Sequence, residues 1–224
     1  DMFARLLDKV PGDRPFPSVK WAGYAAFNAS LDDIAESAER RGLLLCGLYG
    51  MSEVQALYSL QPIDSEVARR KKGGGVPTSP LAHVRVRDPE TGELLGVGQP
   101  GALECAGPSL MVGYYGDDKA TAETMTADGY VRTGDLAELD GHGGFTFLSR
   151  MGDVLRLSGF LVNPLEIETH LQKLPGITGC QAVAVPRPDG VRAVAFVILA
   201  PGATLDETAA IAHCKHGLAN YKVP

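Results

Sequence analysis

The sequence predicts three successive units: an α/β segment over residues 1–61, a barrel-like β unit over 62–150 and a small α+β domain over 151–224. The first segment alternates strand and helix patterns in the order β-α-β, which predicts a parallel sheet. The second contains short apolar strands at regular intervals, separated by glycine and proline, as in small barrels. The third alternates strands and helices again and is long enough to bury a core of its own.

The α/β segment is predicted to begin with a helix and to continue with one β-α-β unit. One apolar stripe at helical spacing is formed by Phe3, Leu6, Leu7 and Val10. A strand over 19–26 precedes an amphipathic helix over 31–41, which Ser30 is predicted to cap. The apolar run 43–48 then predicts a buried strand. Ligands of parallel sheets bind beyond the carboxyl ends of the strands, so the residues after these two strands are binding candidates.

Shorter elements are predicted in the other two units. In the β unit, strands are expected over 82–87, 101–105, 130–137 and 145–148, with a short helix over 117–125. In the α+β domain, the expected elements are a helix over 164–174, strands over 179–185 and 193–199, and a helix over 206–218. Glu166 and Glu168 fall in a first helical turn, which a negative charge stabilises, and are not interpreted as an acid/base pair.

The composition argues against two classes of partner. The net charge is −6, whereas nucleic-acid-binding domains usually present a basic face, so no nucleic-acid partner is expected. The basic run Arg69–Lys72 stands beside three glycines and is interpreted as a solvated, mobile loop. The sequence shows no signal peptide and no long apolar span, so we expect a cytoplasmic protein that does not cross a membrane.

The cysteines and histidines show no metal-site pattern. The four cysteines lack CxxC spacing, which argues against a disulfide framework and a zinc site and predicts buried thiols. They are Cys46, Cys105, Cys180 and Cys214. Of the five histidines, His213 and His216 could share a helix face, and a solvated pair is favoured over a metal site there.

The stretch from Gly129 to Glu168 combines features that a plain core segment does not require. Gly134 interrupts a strand and leaves Asp135, an exposed-looking carboxylate, at a strand end, where it could accept hydrogen bonds from vicinal hydroxyls. Arg150 follows the next strand, and Gly152 gives the backbone extra freedom. The pattern indicates a joint between two units. A solvated hairpin with a surface ion pair remains the alternative interpretation.

The motif YGMSE, Tyr49 to Glu53, follows the second predicted strand of the α/β segment. It offers an aromatic face for a purine, a hydroxyl for a phosphate and a carboxylate for Mg²⁺. A turn capped by Ser52, with Glu53 exposed, is the alternative for the motif on its own.

Five ordered motifs resemble the adenylate-forming superfamily of acyl- and aryl-CoA synthetases, which also holds luciferases and peptide-synthetase adenylation domains. They are YGMSE (Tyr49–Glu53), GPSLMVGYYGDDKAT (Gly107–Thr121), GYVRTGDL (Gly129–Leu136), SRMGDVLRLSGFLVNPLEIE (Ser149–Glu168) and NYKVP (Asn220–Pro224). The resemblance implies the remainder of a large N-terminal domain followed by a mobile C-terminal domain. The family's phosphate loop and C-terminal lysine are not found, so the chain is expected to be a fragment of a longer enzyme and inactive alone.

The resemblance implies an ATP site around the first motif. Tyr49 would stack on adenine, Ser52 would bind the α-phosphate and Glu53 would ligate Mg²⁺, which makes Ser52 and Glu53 the expected catalytic residues. Asp135 would hold the ribose hydroxyls, assisted by Arg150. The full set implied for ATP and AMP is Gly47, Leu48, Tyr49, Gly50, Met51, Ser52, Asp135 and Arg150.

The resemblance also implies sites for the other substrates. The carboxylic acid would be bound by Gly23, Tyr24, Ala25 and Ala26. CoA would be bound by Arg156, Gly159 and Phe160, and Gly152 would be the hinge of the C-terminal domain. The implied function is an ATP-dependent carboxylate–CoA ligase that forms an acyl-adenylate and then an acyl thioester. An adenylation domain that loads a carrier protein and a non-catalytic nucleotide-binding module are the alternatives.

Overall fold

The computed structural model describes residues 2–25, 33–187 and 190–224, which form two compact units, residues 1–148 and 149–224. The helices of the first unit are α1 (Met2–Lys9), α2 (Ile34–Arg40), α3 (Val67–Arg70) and α4 (Asp118–Thr124). Its strands are β1 (Trp21–Tyr24), β2 (Leu44–Met51), β3 (Gln55–Leu60), β4 (Gly74–Pro77), β5 (His83–Arg87), β6 (Gly101–Ala106), β7 (Val131–Leu139) and β8 (Phe145–Arg150), the last of which continues to the start of the second unit. The described helices include none long and apolar enough to cross a membrane.

One mixed sheet contains all eight strands, in the order β1-β2-β3-β4-β8-β7-β6-β5. It runs through both the predicted α/β segment and the predicted barrel-like unit, and among the described strands it is an open sheet with β1 and β5 at its edges. Strands β1 and β2 pair in parallel, whereas β2 to β4, β4 with β8, and β5 to β7 pair antiparallel. The mixed α/β class predicted from the sequence is confirmed.

The β-α-β unit forms as predicted. Strands β1 and β2 align from Trp21 opposite Leu44 to Tyr24 opposite Gly47. Helix α2 covers them with a buried face formed by Ile34, Ala35 and Ala38. Its N-terminal flanking residue is Asp33, and the predicted cap Ser30 lies outside the described residues.

The basic run is not a mobile loop, and that prediction is wrong. Arg69 and Arg70 end helix α3, and Arg70 is only 4 % exposed. The guanidinium of Arg70 lies 3.0 Å from Glu39 on α2, and that of Arg69 lies 2.9 Å from Asp140. Because acidic partners come from two distant segments, the run is ordered by tertiary ion pairs that its local composition does not reveal.

The second unit has its own core around two helices and two hairpins. Its elements are β9 (Leu155–Leu157), β10 (Phe160–Val162), α5 (Pro164–Leu171), β11 (Ile177–Arg187), β12 (Gly190–Leu199), α6 (Glu207–Gly217) and a 3₁₀ turn, Asn220–Lys222. Helix α5 starts with Pro164 after Asn163, whose side chain accepts a hydrogen bond from the Leu165 amide, and Asp206 caps α6 in the same way. The buried residues Leu157, Val162 and Ile167 join the sheets to α5.

The histidine pair of this unit differs from the predicted one. The ring of His213 stacks on that of His170 in α5, with centroids 4.3 Å apart. Each Nε2 lies 3.1 Å from the other residue's backbone carbonyl oxygen, so both Nε2 atoms carry a proton and donate it. His216 instead approaches the Ala212 carbonyl with its Nδ1, at 2.8 Å. Across the described residues, no group of three or more His, Cys, Asp and Glu is arranged to hold a metal ion.

The raised pKa values of two cysteines lead to a prediction about the pH dependence of stability and about thiol reactivity. Burial raises the pKa of Cys105 to about 12 and that of Cys180 to about 11. Since the folded pKa values are raised, the stability contributed by the protonated thiols is complete below the ordinary pKa of 9.0 and is lost as pH rises through the folded values. At pH 8 we expect Cys105 to react with a thiol reagent at least a hundred times more slowly in the native than in the denatured protein.

The kinetics of a colorimetric disulfide reagent, measured with and without denaturant, check this expectation. The Cys105→Ala variant assigns the slow phase, and the less buried Cys180 serves as the internal comparison. Equal native and denatured rates for Cys105 would show that the thiol is accessible.

Candidate active site

The YGMSE motif comprises the end of β2, Tyr49 to Met51, and the first two residues of the tight turn to β3. The Val54 amide donates to the Met51 carbonyl at 3.2 Å, and Gln55 closes the turn with a φ of 107°. A Cβ at Gly50 would lie 2.2 Å from the Ala56 carbonyl oxygen, so only glycine fits there. The turn leaves Ser52 exposed and Glu53 half-buried at its tip.

A bulge in β7 turns Asp135 inward. Arg132 pairs with Glu104 and Leu136 with Ala102, so three residues of β7 face the single residue Leu103 of β6. Gly134, with a φ of 73°, makes this bulge possible. The strand therefore continues through the glycine that was predicted to interrupt it. The predicted exposure of Asp135 is wrong, because the bulge buries it to 2 % exposure.

Asp135 is held by Tyr49, which lies on β2, a strand that is not adjacent to β7 in the sheet. The Tyr49 hydroxyl donates to Asp135 Oδ2 at 2.5 Å, and both residues are 2 % exposed. Burial, followed by the negative charge of Asp135, raises the pKa of Tyr49 above its ordinary value. The phenol therefore stays protonated and keeps donating. Thr133 supports the same corner, because its hydroxyl accepts from the Asp135 amide at 3.1 Å and donates to the Leu103 carbonyl at 2.9 Å.

The ring of Tyr49 packs against two phenylalanines of β8. Phe145 meets it edge-on with centroids 5.2 Å apart, and Phe147 lies tilted at 6.1 Å. With 2 % of the residue exposed, the face expected to stack on a purine is covered in this conformation. The hydroxyl of Tyr49 is directed to Asp135.

Glu53 is held by a second tyrosine. The Tyr114 hydroxyl donates to Glu53 Oε1 at 2.8 Å, and this bond raises the pKa of Tyr114. The backbone carbonyl of Glu53 accepts from the Met111 amide at 2.7 Å. The Ser109 hydroxyl donates to the Val54 carbonyl at 2.5 Å. The loop from 107 to 115 thus fastens the tip of the β2–β3 turn at three points.

Comparison with known proteins identifies the family. The model for AMP-binding enzymes matches residues 1–115, and the model for the AMP-binding enzyme C-terminal domain matches residues 166–224. The chain belongs to the AMP-binding enzyme family. The resemblance drawn from the five motifs is confirmed.

Curated relatives in the AMP-binding family include CoA ligases. A feruloyl-CoA synthase from an Amycolatopsis species is 36 % identical over 194 residues, which cover 86 % of this chain and 38 % of that protein. The probable 4-coumarate–CoA ligase 1 of Dictyostelium discoideum is 29 % identical over 224 residues, covering 99 % of this chain and 40 % of that protein. The chain therefore spans well under half the length of either relative.

Solved structures of AMP-binding enzymes share the fold. ATP-bound MatB from Rhodopseudomonas palustris superposes with a TM-score of 0.79 and 30 % identity, over 99 % of this chain and 44 % of that one. The O-succinylbenzoate-CoA synthetase MenE from Bacillus subtilis, in complex with AMP, gives a TM-score of 0.83 over 100 % of this chain and 44 % of that one. Its 21 % identity supports likeness of fold alone.

The predicted acid-binding segment of this AMP-binding family member is described in part. Tyr24 ends β1 at 8 % exposure, packs in the α2 cluster, and donates from its hydroxyl to the Lys71 carbonyl at 3.0 Å. A Cβ at Gly23 would lie 2.6 Å from a methyl group of Leu48. Ala25 is exposed, and Ala26 lies outside the described residues.

The predicted CoA-binding residues and the predicted hinge belong to the second unit. Gly159 follows Ser158 in the two-residue turn between β9 and β10, and both have positive φ, 85° and 52°. Phe160 is 55 % exposed and stacks on Tyr221, with centroids 4.6 Å apart. Arg156 is exposed in β9. Gly152 is exposed with nothing within 4 Å of an added Cβ, so the observed conformation does not itself require glycine.

Some residues that shape the site were not predicted. Tyr114 and Thr133 lie within two of the five motifs but were not among the predicted site residues. The motif GYYG could have drawn attention to Tyr114, because two adjacent tyrosines in a loop seldom share one environment. In the structure, Tyr114 is half-buried and Tyr115 is fully exposed. Glu166 lies in the first turn of α5 as predicted and pairs with Lys222 at 2.7 Å, whereas Glu168 lies beyond that turn, contrary to the prediction, and accepts from the Ala182 amide.

Proposed function

We propose that the protein is an ATP-dependent carboxylate–CoA ligase of the AMP-binding family. In the first step a carboxylate oxygen bonds to the α-phosphorus of ATP, the bond to the pyrophosphate oxygen breaks, and acyl-AMP forms. In the second step the CoA sulfur bonds to the acyl carbon, the carbon–oxygen bond to AMP breaks, and the thiol proton is lost to solvent. The observation that carries the proposal is the buried carboxylate of Asp135, held by Tyr49, in a chain whose relatives are named CoA ligases.

Asp135 is proposed to bind the two ribose hydroxyls of the nucleotide. A carboxylate has acceptor sites for two hydroxyl donors, and hydrogen bonds to a charged acceptor are stronger than neutral ones. Tyr49 restricts the carboxylate to one orientation before the ligand binds, which lowers the cost of binding. Arg150 at the end of β8 remains a predicted nucleotide ligand.

Ser52 and Glu53 are proposed to act on the phosphates. The donor set fits Mg²⁺, because this ion commonly takes one or two carboxylates and completes its shell with water and substrate phosphates. Glu53 supplies such a carboxylate and is half-buried at the tip of the turn. When bound, the ion would offset negative charge on the phosphates. The hydroxyl of Ser52 is exposed and is proposed to donate to the α-phosphate.

CoA is proposed as the acyl acceptor, in preference to a carrier protein, because the relatives are named as a feruloyl-CoA synthase and a 4-coumarate–CoA ligase. Arg156, Gly159 and Phe160 are the proposed CoA-binding residues and Gly152 the proposed hinge. The acid is proposed to be apolar, aromatic or aliphatic, since Gly23, Tyr24, Ala25 and Ala26 supply no charged group to bind a second ionic substituent. Ferulate and 4-coumarate are the first acids to test.

The test is acid-dependent release of AMP by the full-length gene product, with and without CoA. We expect AMP to appear only with ATP and an acid, and the acyl thioester to appear only with CoA. Transfer to a phosphopantetheinyl carrier protein in place of CoA would support the adenylation-domain alternative. AMP binding by the 224-residue chain, without turnover from any acid by the gene product, would support the binding-module alternative.

A further inference from the structure

Tyr114 and Tyr115 are neighbours in the loop before α4 and have opposite surroundings. Tyr115 is fully exposed, whereas Tyr114 is half-buried and reaches across 61 residues of sequence to Glu53. Its hydroxyl lies 2.8 Å from Glu53 Oε1. Since both residues belong to the first unit, this contact is internal to one compact body.

The backbone on both sides of this bond is fixed. The Tyr114 amide donates to the Thr121 hydroxyl at 2.9 Å, and Thr121 is anchored in turn to the Asp117 carbonyl. Asp117 caps α4, so the loop is tied to a helix. On the other side, Met111 and Ser109 bond to the backbone of the Glu53 turn. The hydroxyl of Tyr114 therefore meets the carboxylate from a defined position.

A neutral donor on one oxygen of a carboxylate has a specific consequence. The hydrogen bond restricts rotation of the carboxylate, while the second oxygen keeps its acceptor sites for another partner. Groups that orient a metal ligand in this way change metal affinity without touching the metal. Without this bond, a glutamate at a turn tip would lose more side-chain entropy each time it bound an ion.

We propose that Tyr114 is a positioning residue that orients Glu53 toward the divalent metal ion of a bound metal–ATP complex. The inference rests on the proposed function, because it takes Glu53 as the metal ligand. It adds a residue outside the proposed catalytic and nucleotide-binding sets. The chain also offers a matched control: Tyr115→Phe removes the same hydroxyl from the adjacent, exposed position.

The experiment measures Mn²⁺ binding in the presence of the unreactive α,β-methylene analogue of ATP, by electron paramagnetic resonance. We expect Tyr114→Phe to weaken Mn²⁺ binding about tenfold, as is typical when the group that orients a metal ligand is lost. Affinity for the analogue in the presence of EDTA should be unchanged, and Tyr115→Phe should match the unaltered protein in both measurements.

The outcomes separate this inference from the proposed function. If the unaltered protein binds Mn²⁺ with the analogue and Tyr114→Phe binds it equally well, the inference is overturned and the proposed function stands. If Tyr114→Phe loses metal-free and metal-bound nucleotide affinity in parallel, its role is to hold the loop, and the inference is also overturned. If the unaltered protein shows no nucleotide-dependent Mn²⁺ site, the proposed role of Glu53 fails and the inference fails with it.

Discussion

Gly47→Ala is expected to destabilise the first unit by about 4 kcal/mol or more, enough to leave much of it unfolded. A Cβ at this position would lie 1.9 Å from the carbonyl oxygen of Lys72 and 2.7 Å from its carbonyl carbon. Both are backbone atoms, and the Lys72 backbone is held between α3 and β4. The clash can be relieved only by separating that connection from β2, where the Gly47 carbonyl also accepts from the Gln61 amide at 2.9 Å.

Thermal and urea unfolding of Gly47→Ala, followed by circular dichroism, check the prediction. The matched control is Gly152→Ala, because an added Cβ there meets nothing within 4 Å. That variant should unfold within about 0.5 kcal/mol of the unaltered protein. A Gly47→Ala protein as stable as the control would mean that the Lys72 carbonyl moves aside freely, and the close approach would then have no structural importance.

Asp135→Asn is expected to weaken AMP binding about a hundredfold. Two ribose hydroxyls would lose a charged acceptor, at roughly 1.5 kcal/mol or more for each bond, and each 1.4 kcal/mol is a factor of ten in affinity. The amide nitrogen of Asn is a donor only, and it can face Tyr49 or the ribose, where an acceptor is required. Isothermal titration with AMP measures the effect. Adenine should retain its weak affinity, because the proposed loss is confined to the ribose.

Two further variants serve as a control for the charge change and as a test of the phenol. Asp13→Asn makes the same change at an exposed position and should bind AMP normally. Tyr49→Phe keeps the carboxylate and the buried ring but removes the 2.5 Å bond, and we expect a smaller loss of about tenfold. Unchanged AMP affinity in a folded Asp135→Asn protein would rule out the ribose contact, and a greater loss in Tyr49→Phe than in Asp135→Asn would assign the larger role to the phenol.

Much of the molecule follows from patterns that are local in sequence. The β-α-β order of the first segment predicts the parallel pair, because the apolar run of β2 and the amphipathic α2 have no other way to bury their faces together. Asn163 before Pro164 predicts where α5 begins, because both residues satisfy a helix start through their own backbone geometry. The motifs are local too, and their order along the chain was sufficient to predict the family that comparison confirmed.

The sequence by itself therefore determined the class of fold, most of the element positions, the family and the residues to examine. Tertiary structure alone decided how those residues are held: Tyr49 meets Asp135 across 86 positions, Tyr114 meets Glu53 across 61, and His170 meets His213 across 43. The same holds for Arg70, whose sequence neighbours predict a solvated side chain and which is instead buried beside Glu39. The physical reason is that propensity and periodicity act over one or two turns of chain. Burial, hydrogen-bond partners and the space left for a Cβ depend on segments that only the folded sheet brings together.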